Sequence, residues 1–124
     1  MITNFEKITA DLTEDELAIK EDVLDAIKHA LPIGKKLKSD ALEYAIEYYL
    51  NVRCSKKIQF TSTRLRKWVN YFRSCGILAI LATSKGYYIS NDPEEIMSQI
   101  DSLEERARSI QTAATGLRIL HSQL

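Results

Sequence analysis

The sequence predicts a mainly α-helical fold with one small β-hairpin (α+β), an arrangement spanning 13–91 and followed by a long C-terminal helix within 92–124. Three observations predict it. Apolar residues recur at three- and four-residue spacing over 17–31, 42–50, 65–72 and 96–117. An apolar run at 77–83, the turn signal Ser84-Lys85-Gly86 and the stretch Tyr87-Tyr88-Ile89 read as two strands joined tightly. Pro32, Gly34, Gly76 and Pro93 fall between these segments, where breakers belong. With 124 residues, 45% hydrophobic and 27% charged, the chain can bury a core without covalent staples.

Residues 1–12 show no periodicity and are expected to form an arm, partly ordered by Phe5 and Ile8. The first helix has a clear start: Thr13 is the N-cap, Glu16 completes a capping box, and Leu12 and Leu17 occupy the two positions of a hydrophobic staple. Leu17, Val23, Leu24, Ile27, Ala30 and Leu31 share one face, while Asp15, Glu21, Asp22 and Asp25 point to solvent. Pro32 and Gly34 end it. The second helix begins at Ser39 and buries Leu42, Ala45, Ile46, Tyr49 and Leu50, with Tyr44 and Tyr48 on the margin of the stripe.

The connection 51–60 is longer than the three or four residues of a tight helix-turn-helix. Alternation over 56–60 suggests a short strand that pairs with the hairpin as its third member. A third helix at 62–75 buries Leu65, Trp68, Val69 and Phe72. At 100° per residue, Thr63, Lys67, Asn70 and Ser74 lie opposite, with Arg64, Arg66, Tyr71 and Arg73 flanking. In the hairpin, Lys85 sits at the tip and Tyr87 and Tyr88 point to opposite sides.

Asp92, Pro93 and Glu95 supply the cap, the first-position proline and the capping-box acid of a last helix, expected over 93–115 and broken at Gly116. Ile96, Ile100, Leu103, Ala107, Ile110, Ala114 and Leu117 alternate steps of four and three, a narrow seam suited to helix pairing. Self-association through this seam is favoured; packing back on the first helix is the rival.

The segment Arg64-Leu-Arg-Lys-Trp-Val-Asn-Tyr-Phe-Arg73, with Ala82-Thr-Ser-Lys-Gly-Tyr-Tyr-Ile89, resembles winged helix-turn-helix DNA-binding proteins of bacteriophages and integrated mobile elements. The resemblance is carried by residues 64–90 and implies a DNA-binding fold, with the third helix in the major groove and the 83–87 wing beside it. The residue chemistry agrees. Asn can contact adenine bidentately and Lys or Arg can reach guanine, while hydroxyls and N–H groups at a helix start can hold a phosphate. The expected DNA-contacting set is Ser62, Thr63, Arg64, Arg66, Lys67, Asn70, Tyr71 and Arg73, with Ser84, Lys85 and Gly86 from the turn.

Net charge is zero, yet its distribution is uneven: 32–90 carries eleven bases against Asp40, Glu43 and Glu47, flanked by acidic excesses on both sides. Screening over about 8 Å lets the basic segment act locally.

The expected function is therefore a sequence-specific double-stranded DNA-binding protein, a homodimer through its last helix. A phage or mobile-element regulator, or a replication or excision accessory factor, is the natural role. The alternative is a non-catalytic protein–protein interaction adaptor on the same scaffold. His29 and His121 lie far apart with no nucleophile–base arrangement, and the carboxylates do not converge, so no enzyme is expected. Cys54 and Cys75 lack metal-ligand spacing and read as free thiols; no metal, cofactor or small-molecule ligand is inferred. With no signal-peptide layout and no membrane-length apolar run, the expected location is the cytoplasm.

Overall fold

A computed structural model describes residues 12–124; the expected arm, apart from Leu12, lies outside them. The elements are α1 (Glu14–Leu17), α2 (Lys20–Ala30), α3 (Ser39–Arg53), α4 (Ser62–Ser74), β1 (Ile80–Thr83), β2 (Gly86–Ile89) and α5 (Pro93–Ser122). Among the described residues they fall into two compact units, 12–91 and 92–124.

The capping box forms as the sequence implies: Glu16 N donates to Thr13 Oγ1 at 3.1 Å, and Thr13 N donates to Glu16 Oε1 at 2.9 Å. The helix it starts is not continuous, however. Ile19 N–H turns to the Glu16 carbonyl at 3.1 Å, and Ile19, with φ −105° and ψ 17°, begins α2 anew. The break redistributes the apolar face. Leu17, expected in the core, is 39% exposed, while Leu12 and Ile19 pack against the core instead. Val23, Ala26, Ile27, Ala30 and Leu31 are buried behind them.

α2 packs on α3, α3 on α4 and β2, and α4 on β1. Leu42, Ile46 and Leu50 of α3 meet Leu65, Trp68, Val69 and Phe72 of α4, all buried as their spacing predicts. Trp68 and Phe72 stack with ring centroids 5.4 Å apart. These two rings and the aliphatic residues around them anchor the unit, since truncating such a side chain to alanine costs about 3–5 kcal/mol.

The antiparallel hairpin pairs Ile80 with Ile89 and Thr83 with Gly86, leaving Ser84 and Lys85 as the two-residue turn. The first strand is shorter than the expected 77–83, because Gly76 (φ +65°) ends α4 and residues 77–79 are used to reverse the chain: Ile77 N–H returns to the Phe72 carbonyl at 2.9 Å.

The third partner of the hairpin is not 56–60. Leu37 exchanges two backbone hydrogen bonds with Tyr87, at 3.0 and 2.7 Å, as an isolated bridge. Gly86 lies so close to this crossing chain that a Cβ on it would sit 2.4 Å from the Leu37 carbonyl oxygen, at a φ of +123°. Residues 55–60 stay out of the sheet, and two of their N–H groups bond to α3 instead. Phe60 is buried, its N–H is donated to the Glu47 carboxylate, and Lys56 N–H returns to the Leu50 carbonyl.

The second unit is one helix, α5, of 30 residues. Asp92 Oδ1 caps it by accepting Glu94 N–H at 3.0 Å, with Pro93 at the first position. Gly116 does not interrupt it: nothing crowds that position, and the surrounding residues hold the i→i−4 ladder through to Ser122. No residue of α5 is buried.

Candidate nucleic-acid interface

The site rests on α4. Thr61 is its N-cap, the hydroxyl accepting Arg64 N–H at 3.2 Å and so satisfying one of the first-turn donors. Burying Leu65, Trp68, Val69 and Phe72 turns the opposite stripe outward: Ser62, Thr63, Arg66, Asn70 and Ser74 are exposed. Ser84 and Lys85 are exposed at the hairpin tip, where Thr83 Oγ1 accepts Lys85 N–H at 3.2 Å and fixes the turn.

Five expected contacts are placed otherwise. Arg73 is half-buried, and its Nε donates to the Ile80 carbonyl at 2.6 Å, tying the end of α4 to β1. Tyr71 is half-buried against the core, edge-on to Trp68 and Phe72 at 5.8 and 5.7 Å. Arg64 and Lys67 are half-buried and engaged by Glu16, at 3.4 and 4.0 Å. Gly86, half-buried against Leu37, shapes the turn through its backbone.

The structure thus brings one residue to this face that spacing did not reveal. Glu16 reads in the sequence as a capping-box acid, and it is one; the α1–α2 break also carries its second oxygen over the start of α4. Thr13, Asp15, Glu16, Thr61, Thr63, Arg64 and Lys67 together line a shallow cleft there. Its electrostatics are mixed: two cations held by one carboxylate, with Asp15 at the rim.

Other bases of the 32–90 segment also have partners within the fold. Lys36 lies 4.6 Å over the Tyr88 ring, Arg53 lies 5.7 Å from the Tyr49 ring, and Lys56 sits 3.8 Å from Asp22. Lys35, Lys38, Lys57, Arg66 and Lys85 remain exposed. The two tyrosines follow the expected alternation: Tyr87 packs toward the core and Tyr88 takes the Lys36 cation on the other side.

Among the described residues, no cluster of His, Cys, Asp and Glu is placed to hold a metal ion, and no helix is long and apolar enough to cross a membrane. No family model, curated protein or solved structure matches the chain.

Proposed function

We propose that the chain binds double-stranded DNA through the outward face of α4, aided by the hairpin tip, in the manner of a winged helix-turn-helix domain. The observation that carries this reading is the composition of the exposed side of α4: Thr63 and Asn70 stand opposite a buried Leu65–Trp68–Val69–Phe72 stripe, Arg66 is exposed on its flank and Ser62 at the helix start. A cation, an amide and two hydroxyls on one exposed helix are what base-edge and phosphate contacts require. The order of elements supports it too. A helix, a bridging residue at 37, two further helices and a hairpin follow one another, with the bridge laid against β2. Sequence preference would come from Asn70 and Arg66, and backbone affinity from Lys85 and the start of α4. A phage or mobile-element regulator, or a replication or excision accessory factor, is the role that fits this use.

Fluorescence anisotropy with a random-sequence duplex, repeated across a salt series, tests the reading. Binding that weakens steeply and linearly in log salt is expected; no binding at low salt would remove the proposal. One observation favours the interaction-adaptor alternative. Tyr44, Tyr48 and Val52 form an exposed strip along α3, at 70%, 58% and 59% exposure, with the two tyrosine rings stacked 6.5 Å apart. Retained DNA binding after Tyr44→Ala and Tyr48→Ala would separate that surface from the nucleic-acid face.

A further inference from the structure

Helix α5 carries a continuous apolar seam along one face. Ile100, Leu103, Ile110 and Leu117 are 40%, 38%, 64% and 67% exposed, and no α5 residue is buried. Extended by His121, the seam runs through nearly four heptads, the length at which such a pattern marks a coiled coil. Two features of α5 specify the occupant.

The first is charge. The half 92–105 holds six acids, Asp92, Glu94, Glu95, Asp101, Glu104 and Glu105, and no base; the half 106–124 holds Arg106, Arg108 and Arg118 and no acid. The helix dipole explains acids only in the first turn and bases only in the last, whereas Glu104, Glu105, Arg106 and Arg108 lie at mid-helix. The polarity matches a partner of the same sequence running the opposite way.

The second is the size of the seam residues. A parallel pair would stack Ala107 on Ala107 and Ala114 on Ala114 between layers of paired Leu or Ile, leaving voids at alternate layers. An antiparallel pair sets each alanine against a branched residue.

We propose that α5 pairs with α5 of a second copy as an antiparallel coiled coil centred on residues 108 and 109. Ala107 then faces Ile110 of the second copy, Leu103 faces Ala114, Ile100 faces Leu117 and Ile96 faces His121. The flanking positions meet as Met97 with Arg118, Glu104 with Gln111, Gln99 with Leu120 and Arg106 with Ala113, none of like charge. Sliding the pair by one heptad toward the N-terminus sets Glu104 on Glu104 and Arg106 on Arg106, which disfavours that register. The pairing stands independently of DNA binding.

The test uses the full chain in a Cys54→Ser, Cys75→Ser background. Light scattering at about 0.1 mM should give a dimer, and Ile110→Asp should return it to monomer with the thermal transition of the 12–91 unit unchanged. Under mild oxidation, Leu103→Cys with Ala114→Cys in one chain should give a covalent dimer. Ala114→Cys alone should not, because its copies lie about 16 Å apart along the axis, beyond disulfide reach. A monomer, a dimer linked by Ala114→Cys alone, or a dimer that the double variant fails to link would each overturn the pairing.

Discussion

Glu16 Oε2 lies 3.4 Å from Arg64 Nε, so the acid that starts the first helix also neutralises a cation at the start of the candidate recognition helix. Lys67 approaches the other oxygen of the same carboxylate at 4.0 Å. On the proposed DNA reading, this contact competes with phosphate. Glu16→Gln preserves the capping-box acceptor while removing the charge. Affinity for duplex DNA is expected to rise about 3- to 10-fold at low salt, and the log–log salt slope to steepen by about 1 to 2. The stability cost should stay under about 1 kcal/mol, because the pair is partly exposed. Anisotropy titrations and thermal melts read the two quantities separately.

Asn70 and Lys85 divide the DNA reading into specificity and affinity. Asn70→Ala should relax preference at one base position, a loss of about 1–3 kcal/mol against the best sequence and little against others. Lys85→Ala should weaken binding to all sequences alike and lower the salt slope by about 1. Selection from a random duplex pool, followed by titration, measures both.

Gly86→Ala should destabilise the first unit by about 3 kcal/mol or more. The new Cβ would meet the Leu37 carbonyl at 2.4 Å, and an L-residue at φ +123° is strained regardless of space. The melting temperature of the hairpin-containing unit reports this.

Gly116→Ala should have the opposite sign. The position is helical, with open space around its missing Cβ, so alanine should raise helix stability by about 0.8–1 kcal/mol. Circular dichroism across a melt measures it.

The two thiols should differ. Cys75 is exposed, whereas Cys54 is half-buried, and desolvation together with the Asp22 carboxylate raises its pKa above the ordinary 9.0. Iodoacetamide at mildly alkaline pH should modify Cys75 first. The raised value also fixes the sign of the pH effect. The stability attached to a protonated Cys54 is complete below the unfolded value of 9.0 and is lost as pH rises from there through the folded pKa. Comparing wild type with Cys54→Ser by denaturation between pH 7 and 11 should show a difference that changes only above about pH 9.

How much of this was legible in the sequence depended on whether the cause was local. The Thr13–Glu16 box, the Asp92–Pro93 start, the Gly76 stop and the buried stripe of α4 each follow from interactions within a few residues, and they appear where the spacing places them. The exposure of Arg66 and Asn70 follows from the same stripe. Leu17, by contrast, had the periodicity of a core residue and lost its place to Leu12 and Ile19 once the helix broke at Ala18–Ile19. Periodicity assumes an unbroken helix and cannot register a turn imposed by docking.

The amino-acid order by itself therefore determined which segments coil, where they are capped, and which faces are apolar, because hydrophobic spacing and capping are short-range. Only the tertiary structure decided which distant groups meet: Leu37 rather than 56–60 along β2, Glu16 over Arg64 and Lys67, and Arg73 spent on the Ile80 carbonyl. Those contacts join residues far apart in the chain or redirect a side chain whose local pattern suits two uses. Packing around Trp68 and Phe72 selects among them, since it fixes the positions from which each polar group finds its partner.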